Sequence, residues 1–140
     1  MPVVSVSMPA GLIERLDTHA ANHEYTGRSE VIRESARAFL TEFDDDALAA
    51  EPLAGVVTVF YDFDTHPVER QVTELRHEYD AHIVSNDHSH VADYCVDLFV
   101  LESDLEVIAT FVGKLRAIEA VETVDYSLVT VDSIGQLQND

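Results

Sequence analysis

The chain has 140 residues, 46% of them hydrophobic, with eight basic side chains against 27 acidic ones and a net charge of −19. No apolar run approaches the roughly 20 residues that cross a bilayer. The opening MPVVSVSMPAG has neither the basic start nor the apolar core of a secretory signal, and the single cysteine, Cys95, leaves no intrachain disulfide. The expectation is a soluble cytoplasmic protein with one or two small domains and no membrane partner.

The acids are unevenly spread. Residues 1–42 carry four arginines and six acids, whereas residues 43–140 carry four cations and 21 acids. Phosphate is repelled by such a surface, so any contact with nucleic acid falls to the N-terminal segment. Lys114 is the one lysine. A dense acidic surface poor in lysine would keep a protein hydrated in a highly saline cytoplasm.

In chain order, residues 3–8 alternate, with Val3, Ser5 and Ser7 on one side and Val4, Val6 and Met8 on the other, the pattern of a strand with one buried face. Pro9 suits the start of a helix, and Leu12, Ile13, Leu16 and Ala20 follow at helical spacing. After a break at Tyr25-Thr26-Gly27, Ser29 is expected to cap a second helix with Glu30 in its first turn. Its apolar face is Val31, Ile32, Ala36, Phe39 and Leu40. A strand and two helices of this size cannot bury a core alone, so a dimer is expected.

Residues 44–54, with Asp44-Asp45-Asp46 and Pro52, read as a linker between a first domain over 1–43 and a second over 55–132. In the second, Val56 to Tyr61 is an apolar strand, and Pro67 begins a helix whose face is Val68, Val72, Leu75 and Tyr79. Ile83 to Val91 and Tyr94 to Leu101 are strands with a tight connection. Ser103 and Glu106 match a capping box for a helix with Leu105, Ile108, Ala109, Val112 and Leu115 inward, and Val121 to Val131 is the last strand. The order βαββαβ is that of ferredoxin-like folds, giving an α+β chain. Residues 133–140 read as a flexible tail.

Chemistry concentrates in the histidines. Of seven, His77, His82, His88 and His90 fall close together. His88 and His90 are two apart on a strand and share a face. Cys95 opens the next strand, where it can lie opposite or diagonal to them. His77, near the end of the preceding helix, could add a fourth ligand from the same chain or a neighbour. Imidazole with thiolate suits zinc, copper and nickel: a tetrahedral set would mean zinc, a square-planar one nickel or copper. Asp97 shares the face of Cys95 and could orient a ligand histidine. His19, His23, His66 and His82 read as structural or surface residues. In the first domain, a two-stranded ribbon from two chains can enter a major groove and present Val3, Ser5 and Ser7. The second-helix start around Thr26-Gly27-Arg28-Ser29 suits a DNA phosphate.

These features together resemble a known family. Residues 3–42 are similar to a ribbon–helix–helix domain, with Tyr25-x-x-Arg28-Ser29-Glu30-x-Ile32-Arg33 at the start of the second helix. Residues 55–131 resemble the ACT-like regulatory domain of the nickel-responsive NikR repressors, whose metal motif is His-x10-His-x-His-x5-Cys. His77, His88 and His90 keep that spacing, and Cys95 follows after four residues in place of five. The shorter loop requires either a tighter turn or a displaced sulfur. The resemblance implies a repressor of metal-uptake genes that binds a double-stranded DNA operator as a homotetramer, a dimer of dimers. It further implies one Ni2+ per chain, held square-planar by His88, His90 and Cys95 of one chain and His77 of another. The alternatives are a response to a different metal or to an amino-acid-like effector. An antitoxin-like partner protein fits the regular pattern of 55–131 poorly, and an enzyme fits least, since a site with four protein ligands is closed to substrate.

If the acidic surface is an adaptation to salt, thermal unfolding followed across potassium chloride concentrations should show stability rising into the molar range. Full stability in dilute buffer would refute that account.

Overall fold

The computed structural model describes residues 1–62 and 66–132; the expected tail over 133–140 lies outside them. The chain divides into two compact units between Asp44 and Asp45.

The first unit contains two helices, α1 (Ala10–Asn22) and α2 (Arg28–Thr41). Residues 3–8 form no strand here. Val3, Val4 and Val6 are open to solvent. A lone strand has nothing to pair with, so the expected ribbon requires a second chain. Only Ala20 and Val31 of this unit are buried, whereas Phe39 and Leu40 stay 67% and 77% exposed. Such a unit has apolar faces but no interior of its own. The cap of α2 differs from expectation. Gly27 occupies the N-cap, and Ser29 lies within the first turn. The Glu30 carboxylate instead reaches back to the Thr26 amide at 2.7 Å and to the Thr26 hydroxyl. Asp17 of α1 accepts two 2.9 Å hydrogen bonds, from Nε and Nη2 of Arg28, which tie the two helices together across the turn.

The second unit opens with a helical turn, α3 (Asp46–Ala49), inside the expected linker. Asp45 caps it by accepting from the amides of Ala47 and Leu48. Then come β1 (Leu53–Asp62), α4 (His66–Glu78), a 3-10 turn over Asp80–His82, β2 (Ile83–Val91), β3 (Tyr94–Ser103), α5 (Leu105–Arg116) and β4 (Val121–Thr130). The antiparallel sheet runs β2-β3-β1-β4, the split βαβ arrangement expected of a ferredoxin-like or ACT-like α+β domain.

Alternation decides the faces of the sheet. Leu53, Val57, Val59 and Tyr61 of β1 and Cys95, Phe99 and Leu101 of β3 are buried. They meet Val68 and Val72 of α4 and Leu105, Ile108, Phe111, Val112 and Leu115 of α5 in the core. Phe111 stands edge-on to Phe99 and Tyr79, with ring centroids 5.3 and 5.1 Å apart. Gly55 lets β1 approach α5: a Cβ there would lie 3.1 Å from Leu128 and 3.4 Å from Ile108. The cap of α5 is Asp104, which accepts from the Val107 amide at 2.9 Å. Ser103, the expected cap, shares a hydrogen bond with His82 Nδ1 instead. Among the described residues, no helix packs on the opposite sheet face. On it Val56 pairs with Val100, Thr58 with Leu98 and Ala54 with Val129, and Val56, Leu98 and Val129 are 39%, 36% and 46% exposed.

Candidate metal centre

The β2–β3 hairpin builds the site. Its turn has two residues, Ala92 and Asp93, and Ala92 takes φ = 53°. Such turns demand a left-handed residue to match the strand twist. Alanine accepts that conformation at a cost of about 1–2 kcal/mol. The short loop is therefore met by a tighter turn, and the ladder beyond it is regular from Val91 back to Ser85, with a shift between Ser85 and Ile83. His90 pairs with Cys95, and His88 with Asp97.

That register brings three donors together. One ligand atom from each of His88, His90 and Cys95 lies within 4.8 Å of the others. The two histidines approach through Nε2, 3.2 Å apart. Donors about 2.0–2.1 Å from one ion sit roughly 2.9 Å apart at a right angle and roughly 3.3 Å apart at the tetrahedral angle. The observed spacing suits either, so a fourth donor sets the geometry. Two imidazoles and a thiol fit a borderline cation such as nickel, copper or zinc and are poor ligands for calcium or magnesium. His77 is not in this group; it is exposed on α4. His82 belongs to the contact with Ser103 and Tyr79. His19 and His23 stack on one another in the first unit, with ring centroids 4.1 Å apart.

Asp97 is 8% exposed. Its Oδ1 lies 2.7 Å from His88 Nδ1, and its Oδ2 accepts from the Tyr61 hydroxyl at 2.6 Å. With Nδ1 on the carboxylate, His88 Nε2 is left facing His90. Tyr61 escaped sequence reasoning, because it lies 36 residues from Asp97 and reads simply as an apolar strand position. Burial, and then the hydrogen bond to Asp97, push its phenol pKa well up. A polar cavity of about 200 Å³ adjoins His88, with Glu69, Thr73, Arg76 and Asn86 in its lining. Cys95 is 2% exposed. Burial, with the nearby charges of Glu69, Asp97 and Asp62, raises its pKa, while a hydrogen bond with Tyr61 works the other way.

The N-terminal candidates belong to the first unit. Val3, Ser5 and Ser7 are exposed on residues outside any helix or strand. Arg28 and Ser29 sit in the first turn of α2, and the Arg28 guanidinium is engaged with Asp17.

Comparison with known proteins bears on the whole chain. Residues 54–129 match the model of the NikR C-terminal nickel-binding domain, and residues 3–42 match that of ribbon–helix–helix proteins of the copG family. The chain belongs to the NikR family of nickel-responsive regulators. A Halobacterium salinarum protein assigned as a nickel-responsive regulator is 54% identical over 138 residues, covering 98% of this chain and 97% of its own. A Haloarcula marismortui protein of the same assignment is 52% identical, over 96% and 98% of the two chains. One from Pyrococcus horikoshii is 29% identical, over 84% and 86%. The family domain is named for nickel, an ion that the donor set of this hairpin fits. Among the described residues, no helix is long and apolar enough to cross a membrane.

If Cys95 is a ligand, a metal takes it as the thiolate, so binding must release its proton. The raised thiol pKa keeps that proton in place at neutral pH. The apparent nickel affinity is therefore expected to rise about tenfold per pH unit across the neutral range. The same shift acts on folding with the opposite sense: a pKa raised in the fold stabilises the metal-free protein at low pH, and that contribution is lost as pH rises through the folded value. Nickel titrations at several pH values, with proton release recorded, test this; an affinity independent of pH would remove Cys95 from the ligand set.

Proposed function

We propose that the chain is a nickel-dependent, sequence-specific DNA-binding repressor of metal-uptake genes. The observation that carries this reading is the convergence of His88, His90 and Cys95 on one hairpin, in a chain whose other unit matches a ribbon–helix–helix protein. His77 of a neighbouring copy supplies the fourth ligand, and one nickel is bound per chain. Two copies pair residues 3–8 into a ribbon, burying Val4 and Val6 and presenting Val3, Ser5 and Ser7 to base edges. The first turn of α2 carries amides without helical partners and the positive end of the dipole, and with Ser29 it takes a phosphate. Arg28 has five N–H donors. Those used on Asp17 hold the turn, and the remainder face the DNA backbone. The uncovered apolar sheet face supports association of dimers into a homotetramer, since monomers rarely leave such a surface open. Nickel acts by favouring the DNA-competent arrangement; equal affinity for all arrangements would change nothing. In a cytoplasm of high salt, base contacts carry more of the binding than counterion release does.

A nickel titration of chelator-stripped protein in high salt is the direct test, followed by thiolate-to-metal charge-transfer absorption and by DNA binding. Saturation at one nickel per chain is expected, with a square-planar spectrum and DNA retention that needs the metal. Cys95→Ala should abolish tight binding and keep the fold. A colourless site preferring zinc, or DNA binding by stripped protein in response to an amino acid, would overturn the nickel reading.

Arg28→Ala is expected to weaken binding to all duplexes alike and to reduce the slope of log affinity against log salt by about one. Weaker binding with an unchanged slope would assign Arg28 to the turn alone.

A further inference from the structure

The hydrogen bonds Tyr61–Asp97–His88 run across three neighbouring strands, β1, β3 and β2. Tyr61 pairs directly with Cys95, and its hydroxyl, which also lies against the Cys95 thiol, donates to Asp97, two residues along β3. Asp97 in turn lies opposite His88. Among the described residues these are the two side-chain partners of the Asp97 carboxylate, one on each oxygen. We propose that Tyr61 is a positioning residue for the nickel site: by donating to Asp97 Oδ2 it holds Oδ1 as the acceptor for His88 Nδ1–H and so fixes the tautomer and ring orientation that point Nε2 at the metal. This rests on the nickel reading of the His88, His90 and Cys95 cluster.

The physical argument is one of accounting for buried polar atoms. Without the Tyr61 hydroxyl, Oδ2 would be a buried carboxylate oxygen with no donor. Burying such an atom unpaired is costly, so the carboxyl group must respond. It is then free to turn toward another donor. That response weakens Oδ1 as the fixed acceptor for His88. A neutral imidazole released from that acceptor divides between two tautomers, and only one of them offers Nε2 as a ligand. The part of the loss that passes through Asp97 and His88 is read by the tautomer, apart from any effect of the Tyr61 contact with the Cys95 thiol. Partners that orient a ligand histidine in this way are typically worth about 10–100-fold in metal affinity.

The experiment uses the full chain in high salt, with 15N-labelled histidine. In the native, metal-free protein, long-range 1H–15N spectra should show His88 as the single Nδ1–H tautomer. Tyr61→Phe should show His88 as a mixture of tautomers, with nickel affinity about 10–100-fold weaker and circular dichroism unchanged. Tyr79→Phe removes a hydroxyl from the same core but away from Asp97, and it should alter neither readout. A folded Tyr61→Phe with the native tautomer and native nickel affinity would overturn the proposal. If Tyr61→Phe does not fold, the native spectrum alone decides, since a His88 carrying its proton on Nε2 is incompatible with the proposed role. The tautomer is read without metal. Failure of the native chain to bind nickel would therefore overturn the nickel reading, whereas an unmoved tautomer would overturn the role of Tyr61.

Discussion

The register of the β2–β3 ladder is the constraint on which the candidate site depends. It places His90 opposite Cys95 and His88 opposite Asp97. A slip of one residue would send both histidines to the other face of the sheet and take His88 away from Asp97. Two features hold the register. The turn at Ala92-Asp93 is as short as an antiparallel hairpin allows, and Ala92 accepts φ = 53° to close it. The core-facing residues Phe99 and Leu101 then lock β3 against the helices. The site therefore inherits its precision from the hydrophobic core, at the modest cost of one strained alanine.

Both units carry surfaces that a single chain cannot satisfy, for different reasons. In the first, the strand-forming segment lacks ladder partners, and Phe39 and Leu40 lack an interior. In the second, a full sheet face stands uncovered although the other face is well packed. The first deficit is one of backbone hydrogen bonds and core volume, the second one of apolar area. On the proposed reading, both are met by copies of the same chain, and the metal joins them because three of its donors are local while the fourth is not.

Much of this architecture is legible in the sequence, since it follows from local periodicity. The edges of β2, the inward face of α5 and the βαββαβ order rest on alternation and helical spacing, which neighbouring residues decide. The proximity of His88, His90 and Cys95 was readable for the same reason, because a strand and a tight turn place residues at fixed offsets. The caps of α2 and α5 were misplaced by one or two residues. Serine and aspartate compete for the same backbone amides, and the arriving chain chooses between them; Ser103 is drawn off by His82. Tyr61 and the Asp17–Arg28 pair were not readable. Their partners are 36 and 11 residues away, and nothing in an apolar strand or a polar helix face announces such a contact. The strand over residues 3–8 shows its alternation plainly, but its hydrogen bonds belong to another chain.

On the proposed reading, it is the fourth ligand that turns a binding site into a sensor. A closed set of donors within one chain would bind nickel tightly, yet it would gain nothing from assembly and so could not report on the metal. On that reading, with three donors on the hairpin and His77 supplied by a neighbour, the last metal–ligand bond forms only in the assembled state. Its free energy then becomes differential affinity for that state, at a factor of ten in population for about 1.4 kcal/mol.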